Sequence, residues 1–217
     1  LAGLIAGALS EDGVIGYLAN DPYQSKASRL RNANAFTLGA QKSKAAIRVL
    51  YAPGNDPDEE LKTLIAAGAD IVGFGTGTPV PCGAPARTFG ALCGDGGPYR
   101  RSSMPRRAGM GMEQCLRRSA HAGTFRYLEA AQRLLRHQRS VVGLSPFGPA
   151  VPETVRVRVR EAKEAIRNGA SPFEGPVRDV SGSLRIAEGS VPDDATLRGM
   201  DWRVQGLEPL PLTPDGL

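Results

Sequence analysis

Cysteine, histidine and aromatic residues are scarce in this sequence of 217 residues, and each scarcity excludes a class of site. Cys occurs 3 times, His 2 times and Trp once, and aromatic residues make up 6% of the chain. The Cys residues form no CxxC pair and neither His has a ligand-spaced neighbour, which argues against a zinc site. The sequence also contains no G-x-S-x-G or H-E-x-x-H motif. We therefore expect no metal, no cofactor and no enzymatic activity.

Long apolar runs are also missing. No run reaches the roughly 18–20 residues that a membrane span needs. Residues 1–9 (LAGLIAGAL) are apolar, but no initiating Met, basic leader or cleavage site accompanies them. We therefore expect the sequence to begin inside a domain, with the preceding residues missing.

Charge and rare residues are concentrated in the middle of the chain. The formal net charge is +5, yet residues 100–139 contain ten Arg and two Glu, which leaves −3 for the rest. All Cys, both His and three of the four Met lie in residues 82–137. The Arg pairs could form a phosphate-binding patch, but no aromatic platform for base stacking is interleaved with them. We therefore expect no nucleic-acid partner, and we interpret the middle as foreign to its flanks.

Short apolar runs in the first third predict buried strands. Residues 13–19, 46–52 and 70–73 lie between turn signals and helical segments. Strands that alternate with helices pair in parallel and form a doubly wound sheet, whose ligands bind at the carboxyl ends of the strands. The expected buried side chains are Val14, Ile15, Val49, Ile71 and Val72.

Two helices are predicted between these strands. Residues 24–40 have apolar positions at helical spacing. Asp56, Pro57 and Glu59 have the order of an N-cap, a first helical residue and a reciprocal capping residue. The second helix is expected to end at Gly68.

Regular patterns return after the middle segment. Residues 152–168 are amphipathic and predict a helix, and residues 176–187 predict a hairpin. Residues 192–199 predict a short capped helix, and residues 201–204 end the fold. Gly206 onward, which is rich in Pro, is expected to be a loose tail.

The glycines that follow the third strand leave three alternatives open. Residues 73–77 (GFGTG) share part of the spacing of a dinucleotide-binding loop, with Thr78 in place of the third glycine. The same residues suit a tight turn between a strand and a helix, or a loop that lines a small ligand.

Five blocks of sequence occur in the order of one known family. They are residues 13–19 (GVIGYLA), 34–40 (NAFTLGA), 145–152 (SPFGPAVP), 171–176 (SPFEGP) and 197–206 (LRGMDWRVQG). These blocks resemble those of the basic membrane protein family, receptors that deliver purine nucleosides to bacterial ABC importers. The resemblance covers residues 1–79 and 141–207.

The resemblance implies a fold, a function and partners. It implies an α/β, type I periplasmic-binding-protein-like fold, a doubly wound parallel sheet whose first lobe is largely missing from this sequence. The implied function is the solute-binding component of an ABC importer, with a nucleoside held between two lobes and a permease as partner. The full-length protein would be periplasmic, or anchored to the outer face of the plasma membrane through an N-terminal lipid. As written, we expect the chain to be a defective fragment.

Four ligand-binding residues follow from the resemblance. The aromatic residue that stacks on the base in the family falls near Asn55, and the loop H-T-D-S-P aligns with Thr76 and Gly77. The acid that binds the ribose hydroxyls corresponds to Asp95. The Lys of the family's cleft has no counterpart in residues 141–144.

The middle segment departs from the family in a way that suggests a shifted reading frame. Residues 110–113 (MGME) are encoded by ATG-GGN-ATG-GAR, which one base later reads Trp-x-Trp, where the family has W-N-W. Residues 125–129 (FRYLE) can be encoded so that the shifted frame reads S-G-T-W-K, where the family has G-T-W-K. We infer a frameshift that is entered near Cys82 and left near Arg139. A real insertion and a sequencing error remain as alternatives.

The expected organisation has four parts. Residues 1–95 form the α/β core of the second lobe, and residues 96–140 are the aberrant Arg-rich segment. Residues 141–207 return to the receptor fold, and residues 208–217 are the tail. Besides the transport receptor, the ligand-sensing domain of a transcriptional regulator or signalling protein would show the same patterns, and a hydrolase on an α/β sheet is the enzymatic alternative.

Overall fold

The computed structural model of the chain describes residues 1–19, 25–53, 56–75, 88–90, 147 and 151–210. Its elements, in chain order, are α1 (Ala2–Leu9), β1 (Val14–Leu18), α2 (Lys26–Gln41), β2 (Arg48–Ala52), α3 (Pro57–Ala66), β3 (Ile71–Phe74), β4 (Thr88–Gly90), α4 (Glu153–Arg167), β5 (Val177–Arg178), β6 (Leu184–Ile186), α5 (Asp194–Arg198) and β7 (Leu207–Pro209).

A parallel sheet with the order β4-β3-β1-β2-β7 forms the centre of the structure. The central strand β1 pairs with β2 and β3, and Ile15 lies opposite both Val49 and Ile71. These three side chains are almost completely buried, as is Val72, whereas Val14 at the start of β1 is half-buried. The predicted α/β class with a doubly wound parallel sheet is therefore confirmed, and burial of Val14 is corrected.

Apolar side chains cover both faces of the sheet, as a doubly wound fold requires. On one face Phe36 of α2 packs against Tyr17, with 4.9 Å between the ring centroids. The ring of Phe36 also lies on Gly73, where an added β-carbon would come within 2.7 Å of it. On the other face Leu64 of α3 covers Gly16. Gly73 therefore belongs to the core, inside β3, and not to a phosphate-binding turn.

The predicted cap of α3 is present. The Asp56 carboxylate accepts a hydrogen bond of 3.1 Å from the Glu59 backbone N–H, and Pro57 occupies the first helical position. The Glu59 carboxylate pairs with Lys62, three residues along the helix. The N-cap thus follows the prediction, while Glu59 takes a neighbouring cation as its partner.

Helix α1 has no counterpart among the predicted elements. Its glycines allow close approach to α2, because a β-carbon at Gly3 would collide with the Phe36 carbonyl oxygen and one at Gly7 with that of Ala40. Its other side packs Leu4 and Ile5 against α4. The apolar N-terminal segment is thus a core helix between two others.

The buried side chain of Asn34 links the return segment to α2. Asn34 Nδ2 donates to the Trp202 carbonyl oxygen over 2.8 Å, and Asn34 Oδ1 accepts from the Val204 N–H over 3.1 Å. Asn34 is fully buried, so these two hydrogen bonds replace the bonds that its amide group makes with water in the unfolded chain. The block that contains Asn34 therefore has a structural reason to carry an amide.

The predicted hairpin is confirmed, and the predicted tail begins too early. Strands β5 and β6 pair in antiparallel fashion, and Asp179 forms a bridge to Val204. Residues 207–209 form β7 and pair with β2, although a loose tail was expected from Gly206 onward. Leu207 is fully buried, and that burial outweighs the Pro and Gly signals around it. The aberrant segment 96–140 lies outside the described residues.

Candidate functional site

The carboxyl edge of the sheet is the candidate site, because the predicted ligand-binding residues follow strands that end there. The hydrogen-bonded ladder continues to this edge: the Ala19 N–H donates to the Ala52 carbonyl over 2.9 Å, and the Gly75 N–H donates to that of Leu18 over 2.8 Å. The chain therefore leaves β1, β2 and β3 from adjacent positions.

The strand order changes direction between β1 and β3, and this point of the carboxyl edge is where a doubly wound fold is expected to bind its ligand. From β1 the chain crosses through α2 to β2 on one side, and from β2 it crosses back through α3 to β3 on the other. The two helices cover opposite faces of the sheet. Connections that leave in opposite directions open a crevice outside the strand ends, where doubly wound folds bind ligands.

Each candidate residue from the sequence follows one of these strands. Asn55 comes three residues after the end of β2, Thr76 and Gly77 come directly after Gly75, which follows β3, and Asp95 comes five residues after β4. All four lie outside the described residues. Their roles thus stay predictions, supported by the adjacency of β1, β2 and β3.

Two tyrosines lie in register close to this edge. Tyr17 of β1 is opposite Tyr51 of β2. Burial, together with the neighbouring Tyr51, raises the pKa of the Tyr17 phenol. Burial also raises the pKa of the half-buried Tyr51, while the charge of Arg29 acts to lower it and that of Glu60 acts to raise it. The Tyr51 phenol thus lies among a cation and an anion and stays neutral at physiological pH.

Arg29 is a polar residue of this edge that no sequence pattern marks. It lies in the first turn of α2, which begins after the connection from β1. Its side chain is half-buried, and its Nε is covered without a hydrogen-bond partner in the described part of the chain. Only its three-dimensional neighbours distinguish it from an ordinary helix-surface arginine.

At the amino edge of the sheet, hydrogen bonds link the segment before β1 to the residue before β3. Ser10 Oγ donates to Asp70 Oδ1 over 2.9 Å, and Asp70 Oδ2 accepts from the backbone N–H groups of Glu11 and Asp12 over 2.6 and 3.1 Å. Ser10 Oγ in turn accepts from the Gly13 N–H over 2.9 Å. These bonds fix the entry into β1 relative to β3 at the end away from the candidate site.

Within the described ranges no group of three or more His, Cys, Asp or Glu side chains is placed to hold a metal ion. None of the described helices combines the length and apolarity needed to cross a bilayer.

Comparison with known proteins gives one informative similarity. No protein-family model matches the chain. A purine-binding protein of Brucella abortus (strain 2308) is 26% identical to it over an alignment of 233 positions, gaps included, which covers 95% of this chain. The chain is similar to a purine-binding protein. It spans 61% of the length of that relative.

The similarity agrees with the expectations at a coarse level. The relative is named for binding a purine, which supports a solute-binding role and a small-molecule ligand. A binding protein as relative also agrees with the expectation that this chain is not an enzyme.

Proposed function

We propose that this chain contributes a lobe to the solute-binding component of an ABC importer, which holds a purine nucleoside in the cleft between this lobe and a second one. The observation that carries the proposal is the similarity to a purine-binding protein over 95% of the chain. The basic membrane protein family, which the sequence blocks resemble, supplies the nucleoside and the permease partner. On this proposal the protein works in the periplasm or on the outer face of the plasma membrane.

The architecture supports this proposal through the strand order at the carboxyl edge of the sheet. The connections after β1, β2 and β3 leave from one edge of the sheet, so that a flat base and a ribose can be contacted by several loops at once. Within the proposal, Asn55, Thr76 and Gly77 line the cleft, and the Asp95 carboxylate accepts hydrogen bonds from the ribose hydroxyls.

The test is calorimetry on the product of the complete reading frame that contains these residues. We expect saturable binding of at least one of inosine, guanosine and adenosine, with uridine as a pyrimidine control that does not bind. A protein that binds none of the purine nucleosides, or binds uridine equally well, contradicts the proposal.

The 217-residue chain alone provides a second measurement. A ligand gripped between two lobes loses about 1–3 kcal/mol for each polar contact that is removed. Losing three or four contacts takes a micromolar binder, near −8 kcal/mol, beyond millimolar. We therefore expect no measurable binding by the isolated chain at about 100 μM ligand. Saturable binding at that concentration would show that this lobe suffices.

A further inference from the structure

Helix α4 ends on the only Asn-Gly pair of the sequence, Asn168 followed by Gly169. The other four Asn residues precede Asp or Ala. Gly169 has a φ of +101°, in the left-handed region that favours glycine, and the Ala170 N–H donates to the Ala165 carbonyl over 2.9 Å to close the last turn. The way in which the helix ends therefore requires a glycine directly after Asn168.

An Asn-Gly pair holds an electrophile and a nucleophile that can close a ring. The backbone nitrogen of the glycine attacks the side-chain Cγ of the asparagine: the N–Cγ bond forms, the Cγ–Nδ2 bond breaks, and ammonia leaves with the proton of the attacking amide. Water then opens the five-membered imide at either carbonyl, which gives aspartate or isoaspartate. Glycine favours the attack because it has no β-carbon to crowd the ring.

The pair lies in the part of α4 that packs least. The buried side chains of the helix, Val155 and Val159, belong to its first half, whereas residues 164–170 are all exposed. Opening the last turn therefore uncovers no core side chain, and helix ends of this kind open locally at low free energy. Water and base reach Asn168 while the sheet stays folded.

The closed turn itself opposes the ring closure. Asn168 has a ψ of 10°, which turns the Gly169 nitrogen toward the backbone nitrogen of Asn168 and away from its β-carbon. The Gly169 N–H also donates to the Ile166 carbonyl over 3.1 Å. Because reacting atoms must come within roughly 3–3.5 Å of each other in the right direction, the peptide between the two residues must first rotate and give up this hydrogen bond.

We propose that Asn168 is a site of spontaneous deamidation, whose rate is set by opening of the last turn of α4. The reaction consumes water, releases ammonia and replaces a neutral amide at the C-cap by a carboxylate. Glu164 lies four residues earlier, where it pairs with Arg167 over 2.7 Å, and the last carbonyls of the helix carry the negative end of its dipole. Both repel the new charge, so deamidation loosens the turn further.

The experiment incubates the 217-residue chain in mildly alkaline buffer, folded and in urea, and follows the mass of two peptides. Cleavage after Glu releases residues 165–174, in which Asn168 carries the only side-chain amide, and trypsin releases residues 32–42, which contain Asn32 and Asn34. In the folded chain we expect Asn168 to lose its amide about tenfold faster than Asn32 and Asn34. The loss at Asn168 should be faster still in urea, where the turn no longer protects it, and faster at higher pH, because the attacking nitrogen must lose its proton.

Asn168→Gln is the matched control, because its side chain would have to close a six-membered ring, and its peptide should keep its mass. Asn168→Asp carries the charge of the product, and its Ala170 amide should exchange with solvent about two- to fivefold faster than in the wild type. Equal rates at Asn168 and Asn32, or equal rates at Asn168 in the folded chain and in urea, would overturn the proposal. Unchanged exchange in Asn168→Asp would overturn the loosening of the turn.

Discussion

The Asp179 carboxylate binds several groups of the β5–β6 hairpin at once. It lies just after β5 and is buried to all but 4% of its surface. Its Oδ1 accepts from the Ser181 hydroxyl over 2.5 Å and from the backbone N–H groups of Ser181 and Ser183, while Oδ2 accepts from Arg185 Nε over 2.6 Å. The Arg185 guanidinium in turn lies 5.7 Å from the centre of the Trp202 ring. The carboxylate therefore organises the hairpin and its contact with the return segment.

These donors lower the pKa of Asp179 to about 2, with the Ser181 hydroxyl contributing most and Arg185 next. A carboxyl group in an unfolded chain has a pKa near 3.9. Because the pKa is lower in the folded state, the stabilisation is fully present above about pH 4 and is lost as pH falls toward 2. We expect Asp179→Asn to lower the melting temperature at pH 7, and the difference from wild type to shrink between about pH 4 and pH 2.

Asp201→Asn is the control for that measurement, since Asp201 is exposed and lies close to the same segment. It should change the melting temperature little at either pH. A difference between Asp179→Asn and wild type that is constant from pH 7 to pH 2 would mean that ionisation of Asp179 does not stabilise the hairpin.

The close contact between helices α1 and α2 leads to a prediction about how these two secondary-structure elements pack. Replacing Gly by Ala in a helix usually stabilises it by about 1 kcal/mol. At Gly7 the added methyl group would meet the Ala40 backbone, which cannot move without displacing α2. We expect Gly7→Ala to lower the free energy of unfolding by about 1–3 kcal/mol in urea titrations.

Gly39→Ala is the matched variant on the opposite helix. A β-carbon there would lie 3.3 Å from the Leu4 nitrogen, a contact that a shift of a few tenths of an ångström relieves. Its effect should be clearly smaller than that of Gly7→Ala. Equal effects, or stabilisation by Gly7→Ala, would contradict the close approach of the two helices.

Helices α2, α3 and α4 were predicted because each has one buried side and shows the matching periodicity. Strands β1, β2 and β3 were predicted as short apolar runs, because both of their faces are covered. Helix α1 was not predicted. It packs against α2 with its glycines and against α4 with Leu4 and Ile5, so its sequence is apolar on every side and shows no helical periodicity. Strand β7 was not predicted, because Pro209 was interpreted as part of a loose tail, whereas it lies in an edge strand of the described sheet.

The sequence predicts the position of the candidate site in the fold, but it does not identify every polar side chain there. Alternation of strands and helices predicts parallel pairing, which places the connections that follow the strands at the carboxyl edge, whereas the strand order itself is known only from the structure. Arg29 was not predictable, because a lone arginine on a helix ordinarily indicates a solvated face. Its covered Nε, which has no hydrogen-bond partner in the described part of the chain, is a property of its neighbours in space.

At the scale of the whole molecule, β7 joins the last described residues to the sheet. The Gly206 carbonyl accepts from the Val49 N–H over 2.7 Å, and the Leu210 N–H donates to Tyr51 over 2.9 Å. A chain that ends at residue 206 would lose the burial of Leu207, about 1.5–3 kcal/mol, and leave β2 as an unpaired edge. We expect it to melt at a lower temperature and to aggregate at concentrations where the full chain stays monomeric.

A chain that ends at residue 210 is the control for this truncation. It keeps all of β7 and should melt within about 1–2 °C of the full chain, since a change of 1 kcal/mol moves a domain of this size by about 2–4 °C. If both truncated chains behave alike, β7 does not contribute to the stability of the sheet.

The Ser10–Asp70 hydrogen bonds have a consequence for redesign. Five residues of β1 separate them from the carboxyl edge, a distance of about 16 Å at the rise of a strand. Substitutions that far apart, without shared partners, usually have additive effects on stability. Libraries that randomise the connections after β1, β2 and β3 can therefore be screened for new ligands while the opposite edge is kept constant as the folding scaffold.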